Sequence, residues 1–521
     1  MSETSQTTSV EPAFASEAPE LFIAMVAATG ANDDEVFRQL ESGLRRFGYE
    51  CEPVRLSALL RQFFPALPTA PVDVYIEKHQ TAGNTLRAKL ARADALALAA
   101  VTEVRAIREE RTGLVGNEQR PLARMAYLIR SLKTPEEVAT LRDLYGDRFV
   151  LFSAYAARDT RVDHLARVIA DSSLSREEEA QSRSKAERLV ARDEAEEADE
   201  FGQNVRGAFP LADFFVDARS APALSSSIER CLDIFFGDPF RTPSRDEVSM
   251  FHAHAAALRS AELGRQVGAA IATPEGALVA TGTNEVAKRG GGLYWEGDEH
   301  DDRDFKRGED TNEVRRTRLV EELIGRLKEE GWLRDEYVNV DANRFLAVFD
   351  DTRLASLIEF GRAVHAEMAA LTDAAMRGVG IGGCTLYTTT FPCHLCARHV
   401  VAAGIERLVY IHPYPKSLAA QLFEDSIAVD QAHPPEHVIR FEPFVGVAPQ
   451  RFVDLFTAGK RKEGGRAIEF VRLEATPKFI DRPFAHRAYL LREQVVSKEF
   501  EQRLSESGLA SVPSDEPDKV E

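Results

Sequence analysis

The chain has 521 residues, of which 44% are hydrophobic and 29% charged, and its formal net charge is −19. This length is too great for one hydrophobic core, so we expect two or more domains. The sequence contains no apolar run long enough to span a bilayer, which excludes a membrane-spanning protein, and the acidic excess disfavours bulk nucleic-acid binding. Five thinly spread cysteines indicate a reducing cytoplasm rather than a disulfide framework.

Residues 1–19 are polar, lack a secretory-signal pattern and are predicted to form a disordered tail. Residues 20–221 are predicted to form a first α/β domain. The apolar run LFIAMVAA is followed by TGAND and then by an amphipathic helix, whose apolar positions are Val36, Leu40, Leu44 and Phe47. This β-loop-α pattern continues into the second strand, ECEPVRLS, and favours a parallel sheet.

A similar pattern of helix and strand occurs later in the first domain. A helix is predicted to begin after Thr134, with Glu136 and Glu137 in its first turn, and the strand RFVLFSAYA follows it. Residues 173–200 are charged with both signs and favour a solvated helical hairpin or lid. Residues 222–245 are predicted to form a helical connector that contains a proline-bearing boundary.

A second domain is predicted over residues 246–502, followed by a disordered tail over 503–521. It begins with a helix and a β-hairpin, VGAAIATPEGALVATGTN. Residues 288–312 resemble a long loop, and strands and helices then alternate through the strand Arg407–His412.

The strongest chemical signal is H-A-E at His365–Glu367, followed by P-C-x-x-C at Pro392–Cys396. His365, Cys393 and Cys396 offer one imidazole and two thiolates, which would fill three tetrahedral positions of Zn²⁺ and leave the fourth for water. Glu367 is placed to move protons rather than to bind the metal. This pattern is typical of zinc deaminases that attack C4 of cytosine or C6 of adenine.

Other interpretations of the cysteine pair account for less of the pattern. A redox C-x-x-C motif does not require the His-x-Glu pair. A structural zinc site would need a fourth ligand, and Cys384 lies inside a predicted strand, where burial in the core is the simpler explanation. The combined motifs therefore favour a catalytic zinc site over a structural one.

On these motifs the sequence resembles the cytidine/deoxycytidylate deaminase superfamily, over roughly residues 245–415. The resemblance implies a cytidine-deaminase-like α/β/α domain with a mixed sheet and a deoxycytidine nucleotide as substrate. It also implies that Asn284, at the TGTN turn, binds deoxyribose. Tyr414 and Lys416 in HPYPKS are candidates for contacts with the base and a phosphate, against the alternative of a rigid turn set by two prolines.

The wider chain is similar to bacterial anti-phage deoxycytidylate deaminases, which carry a P-loop-kinase-like parallel-sheet domain before the deaminase. That resemblance implies deamination of dCTP and dCMP, depletion of dCTP during infection, inhibition by a small RNA, and a homo-oligomer. The N-terminal loop departs from a working phosphate loop, because Ala31 and Asn32 stand where Lys and Ser/Thr are required. Kinase activity is therefore not expected. A regulatory nucleotide held by Thr29, Gly30, Ala31 and Asn32 remains one hypothesis, and a scaffold or inhibitor-binding module is another.

Two alternatives to a nucleotide deaminase remain open. An RNA- or DNA-editing deaminase would need a basic channel and stacking aromatic residues, which the acidic composition disfavours. A non-catalytic, zinc-stabilised nucleotide-binding module would use Glu367 only to cap a helix.

Overall fold

A computed structural model describes residues 18–172, 179–195, 202–334, 344, 348, 352, 357–414, 417–431, 433–478 and 488–509. The chain divides into two compact units, which we call the first unit (residues 1–242 and 445–521) and the second unit (residues 243–444). None of the described helices is long and apolar enough to cross a membrane. The predicted N-terminal tail lies almost entirely outside the described residues.

The strands are β1 (Leu21–Ala27), β2 (Glu50–Arg55), β3 (Met125–Arg130), β4 (Phe149–Tyr155), β5 (Phe214–Asp217), β6 (Gly268–Ala272), β7 (Leu278–Thr283), β8 (Glu285–Val286), β9 (Ala363–Val364), β10 (Thr385–Thr390), β11 (Arg407–His412), β12 (Ile427–Val429), β13 (Ile439–Pro443), β14 (Gly446–Val447), β15 (Lys462–Glu463) and β16 (Arg466–Ala467).

The α-helices are α1 (Asp33–Arg45), α2 (Leu56–Phe63), α3 (Val72–Leu90), α4 (Ala95–Thr112), α5 (Pro135–Tyr145), α6 (Arg158–Ser172), α7 (Glu179–Ala195), α8 (Val205–Ala208), α9 (Ala221–Phe235), α10 (Arg245–Ala257), α11 (Asp304–Arg307), α12 (Thr311–Glu329), α13 (Ala366–Met376), α14 (His394–Ala402), α15 (Ala419–Leu422), α16 (Phe452–Phe456) and α17 (Ala488–Glu506).

The first unit is built on a sheet with strand order β14-β5-β4-β1-β3-β2. Strands β1 to β5 are parallel, as the sequence predicts, and β14 runs antiparallel to β5. Every residue of β1 is buried, as expected for a central parallel strand covered on both faces. Val36, Leu40 and Leu44 lie on α1 and are buried in the same core, and Phe47, predicted on this helix, is buried just after the helix ends at Arg45. Thr134 caps α5 in a reciprocal capping box with Glu137, which confirms that helix start.

The unit boundaries differ from the predicted domain boundaries. Helix α9, expected to be part of a connector, buries Leu224, Ile228 and Leu232 in the core of the first unit. After Phe444 the chain returns to the first unit, where β14 extends the sheet and α17 packs against α4. The last helix continues to Glu506 because its apolar side is buried, so a tail does not begin at residue 503.

The second unit contains a mixed sheet with strand order β12-β13-β11-β10-β6-β7. Strands β10 to β13 are parallel, whereas β6 runs antiparallel to both β10 and β7. The β6–β7 pair is the predicted hairpin. Because helix α14 connects β10 to β11 and helix α15 connects β11 to β12, the unit is an α/β domain with a mixed sheet, and the predicted fold class is confirmed at this level.

Candidate metal centre

The predicted metal ligands of the second unit stand at the starts of two helices. His365 is the N-cap of α13, and Cys393 is the N-cap of α14. Helix α13 lies directly against β7 because Gly282 has no side chain there: a Cβ at Gly282 would lie 2.1 Å from the carbonyl oxygen of Ala366. This close approach holds the beginning of α13, and with it His365, against the sheet.

The three candidate ligand atoms form one compact group. His365 Nδ1 lies 3.3 Å from Cys393 Sγ and 3.4 Å from Cys396 Sγ. A tetrahedral zinc ion, with bonds of about 2.0 Å to nitrogen and about 2.3 Å to sulfur, places such ligands about 3.5 Å apart. The cluster therefore fits Zn²⁺. Among the described residues, no other His, Cys, Asp or Glu joins this group, so these residues supply three of four tetrahedral positions.

The charges of the cluster suit a divalent cation. Hydrogen bonding from Cys396 and from His365 lowers the pKa of the Cys393 thiol to about 4, in spite of its burial. The bond to Cys393 in turn raises the pKa of His365 to about 9. Cys393 also accepts a hydrogen bond from the backbone N–H of Cys396 at 3.4 Å. A thiolate is the metal-binding form of cysteine, and a metal ion would displace the proton that the ring and the sulfur share.

Glu367 lies beside this cluster in a buried position. Its side chain belongs to the first turn of α13, is 4% exposed, and has a pKa raised by that burial. Its Oε1 lies 3.4 Å from Thr388 Oγ1. The Thr388 hydroxyl can donate to this oxygen or to the carbonyl of Thr390, which lies 2.9 Å away. Burial favours the protonated form of the Glu367 carboxyl group, which can therefore carry a proton.

Thr388 was not identified from the sequence. Its only signal is its place on β10, the strand that leads into Pro392 and Cys393. A threonine in a β-strand is ordinarily explained by strand propensity alone, so the contact with Glu367 emerges only from the fold.

The predicted substrate-binding residues occupy different surroundings. The side-chain oxygen of Asn284 accepts from the backbone N–H of Val267 at 2.7 Å, and its amide nitrogen donates to the carbonyl of Arg265 at 2.5 Å. Asn284 thus fixes the chain segment before β6. Tyr414 is half-buried, and its burial, together with the negative charge of Cys393, raises the pKa of its hydroxyl group. Lys416 lies outside the described residues.

The predicted nucleotide-binding loop of the first unit follows β1. Gly30 has a left-handed φ of +90°, and Asn32 caps α1 by accepting from the N–H of Glu35. The N–H of Thr29, a donor that could face an anion, is bonded to the carboxylate of Asp193 at 2.7 Å. The N–H of Ala31 is bonded to the carbonyl of Ala28. The carboxylate of Asp193 therefore occupies the position at which an anion would bind this loop.

Comparisons with known proteins find similarity to deoxycytidylate deaminases. Residues 243–412 match the family model described as the cytidine and deoxycytidylate deaminase zinc-binding region. The deoxycytidylate deaminase of Enterobacteria phage T2 is 43% identical over 54 residues, which make up 10% of this chain and 29% of that protein. ComE operon protein 2 of Bacillus subtilis (strain 168) is 33% identical over 84 residues, 15% of this chain and 42% of that protein.

The matched segment thus spans less than half of either relative. Among solved structures, the apo dCMP deaminase of cyanophage S-TIM5 aligns with a TM-score of 0.22 and 15% identity, over 39% of this chain and 99% of that one.

Proposed function

We propose, from the match of residues 243–412 to the cytidine and deoxycytidylate deaminase zinc-binding region, that this protein is a zinc-dependent hydrolase. Its substrate would be a deoxycytidine nucleotide, dCMP or dCTP, and its products a deoxyuridine nucleotide and ammonia. The observation that carries the proposal is the buried carboxyl group of Glu367 beside three ligand atoms that fit a zinc ion.

The reaction requires one residue that accepts a proton and then gives it up. Zn²⁺ bound by His365, Cys393 and Cys396 would supply a water molecule of lowered pKa. Glu367 would accept a proton from the attacking water and would deliver protons to the N3 atom of the cytosine ring and to the departing amine. A C4–O bond forms and the C4–N bond to the amine breaks, so water and the cytosine nucleotide yield the uracil nucleotide and ammonia.

The surroundings of Glu367 support this role. Burial favours its protonated form, and the Thr388 hydroxyl lies within hydrogen-bonding distance of Oε1. A carboxyl group with a raised pKa holds a proton more readily than an ordinary carboxylate, as a general acid and base requires. Asn284 would position the sugar by holding the segment Arg265–Val267, and Tyr414 and Lys416 would contact the base and a phosphate.

The resemblance to anti-phage deaminases extends the proposal. The first unit would be a degenerate P-loop-kinase-like domain, a view supported by its parallel strands and by the loop between β1 and α1. The protein would deplete dCTP during phage infection, as a cytoplasmic homo-oligomer held inactive by a small RNA.

The proposal is tested with purified protein and a panel of cytosine and adenine nucleosides and nucleotides, with ammonia release as the readout. We expect release from dCMP or dCTP. Substitution Glu367→Ala, and the isosteric Glu367→Gln, should lower turnover by roughly 10²- to 10⁴-fold, while zinc stays bound.

The matched control is Glu406→Ala, which removes an exposed carboxylate of the same unit and should leave turnover unchanged. Persisting turnover in Glu367→Ala with zinc still bound would show that the catalytic assignment is wrong. Release from a polynucleotide but from no free nucleotide would favour the base-editing alternative.

A further inference from the structure

The first unit contains a cavity of about 450 Å³ that the zinc chemistry does not use. It lies beside the loop after β1 and is lined by Thr29, Gly30 and Ala31, together with side chains from α3 and α6. Its size falls in the range of small-molecule sites, and β1 lies between β3 and β4, where the direction of strand connection reverses. Ligands of open parallel sheets bind at such a place.

Three buried polar atoms that line this cavity lack a partner among the described residues: Oε1 of the half-buried Gln80, and one atom in each of two almost fully buried side chains. His79 is 6% exposed and Gln203 is 2% exposed. No described residue hydrogen-bonds to His79 Nε2 or to Gln203 Oε1. Because buried polar atoms are almost always paired, both atoms indicate a ligand or solvent that meets them in the cavity.

Both atoms are hydrogen-bond acceptors. His79 Nδ1 lies 2.8 Å from the carbonyl of Tyr75, which can only accept, so Nδ1 carries the proton. Burial lowers the pKa of His79, which keeps the ring neutral and leaves a lone pair on Nε2. Gln203 Oε1 is an amide oxygen. A complementary ligand must therefore bring N–H or O–H donors.

The cations of the cavity are largely neutralised by the protein itself. Lys133 Nζ lies 3.4 Å from Asp193, and Arg130 is bonded to Asp34. Arg87 pairs with Glu137. Asp193 also occupies the N–H of Thr29, so the position where a phosphate would meet the loop is taken. Arg55 also lines the cavity, but it is exposed.

One part of the remaining wall is apolar or aromatic, and another part carries polar side chains that include Asp33, Gln80 and His164. Leu60, Ile76 and Leu165 line the cavity, and the ring of Tyr75 lies 3.9 Å from the ring of His79. Such a wall suits a flat heterocycle with polar edges.

We propose that this cavity binds an amino-bearing nucleoside through its base, with His79 Nε2 and Gln203 Oε1 as acceptors for the exocyclic amine and neighbouring donors. The phosphate chain of a nucleotide contributes little to this binding. The site is separate from the zinc cluster, which lies in the other unit, and it does not depend on the deaminase proposal.

The experiment is isothermal titration calorimetry of the full-length protein, with adenosine as the main probe and uridine, ATP and inorganic phosphate as comparison ligands. We expect adenosine to bind more tightly than uridine by roughly ten-fold or more, because uridine lacks the exocyclic amine. ATP should bind about as well as adenosine, and phosphate should not bind.

Substitutions His79→Leu and Gln203→Leu should each weaken adenosine binding by roughly ten-fold or more, with zinc content and deamination unchanged. A second pair of variants controls for misfolding. Gly83 lies on α3 in the cavity wall, and a Cβ there meets its nearest atoms at an ordinary 3.7 Å. Gly83→Ala should therefore keep binding, whereas the larger Gly83→Leu should fill the cavity and abolish it.

Three results would overturn the inference: no adenosine binding in the millimolar range, equal affinity for uridine, or binding that Gly83→Leu leaves intact. Tighter binding of ATP that is lost on Lys133→Ala would show instead that the cavity is a phosphate site.

Discussion

The two units each place a polar loop after a central strand of their sheet, but they satisfy its polar groups differently. After β10, Cys393 and Cys396 face His365 across a space that fits a metal ion. After β1, the N–H of Thr29 is already bonded to Asp193, which Lys133 also approaches. A loop can bind an ion when its polar groups converge and no side chain of the protein already pairs with them. Substitutions in each unit test this difference.

The largest effect is expected from removing one metal ligand. Cys396→Ser should abolish stoichiometric zinc binding, because hydroxyl is a much poorer zinc ligand than thiolate. Turnover should fall by roughly 10³-fold or more, since several kcal/mol of barrier lowering depend on the metal. Zinc analysis of the purified protein together with ammonia release measures both.

Two variants outside the cluster serve as controls for Cys396→Ser. Cys51→Ser changes a half-buried cysteine of the first unit, and Asp193→Asn changes the carboxylate at its loop. Both should keep full zinc content. Zinc loss in Asp193→Asn would contradict the separation between the two sites.

The next largest effect should appear in the stability of the first unit. Arg108 has no exposed side-chain surface and donates to Glu20 and Glu493, which are equally buried. Arg108→Ala leaves two buried carboxylates without their cation and should lower the free energy of unfolding by about 3 to 5 kcal/mol. Urea denaturation, followed through the transition of the first unit, measures the loss.

Arg111→Ala is the matched control for Arg108→Ala. Arg111 lies on the same helix and forms ion pairs with Glu50 and Glu52 at the surface. Its removal should cost less than about 1 kcal/mol. Equal losses of unfolding free energy in the two variants would mean that burial does not determine how much the ion pairs of Arg108 contribute to stability.

A smaller effect should depend on pH in the second unit. Asp246 accepts from Tyr387 at 2.7 Å and from both terminal nitrogens of Arg407. Burial acts to raise its pKa, but the bonds and charge of Arg407 outweigh burial and lower the pKa below the ordinary 3.8. The ionised form is therefore favoured by folding, and its contribution is complete above about pH 5 and lost as the pH falls through the folded pKa.

Asp246→Asn should lower the stability of the second unit by about 1.5 to 3 kcal/mol at pH 7, with less difference from the native protein near pH 3. Melting temperatures measured across this pH range test the sign of the change in stability. Asp425→Asn, at an exposed position, should change neither the stability nor its dependence on pH. A difference that grows toward acid would contradict the assigned shift.

The sequence predicts most of the local elements, because their periodicity and caps are strong. The sequence predicts the zinc cluster equally well, since H-x-E and P-C-x-x-C fix residue types and spacing together. It does not predict the return of the chain to the first unit, because β14 has two residues and carries no periodicity of its own. Asp193 also escapes detection: it lies in a charged segment that favours solvent exposure, and it meets Thr29 across 164 residues of chain.

Asn284 illustrates a different limit of motif reasoning. Its place in TGTN implies contact with a sugar, whereas both ends of its side-chain amide are bonded to the backbone near β6. A motif identifies which residue is required, but the fold decides whether it touches a ligand directly or holds a segment that does.

The return of the chain after Phe444 has a consequence for synthesis on the ribosome. Glu493 lies 385 residues after Arg108, so the whole second unit is translated between these two partners. At about 5 to 20 residues per second, this interval lasts roughly 20 to 80 s. During that time Glu20 is the one buried counter-charge of Arg108 among the described residues, and the sheet lacks its edge strand β14. The nascent first unit therefore stays incomplete during this interval. The second unit is inserted within the first in the sequence, so its synthesis is complete before that of the first unit, and it can fold earlier.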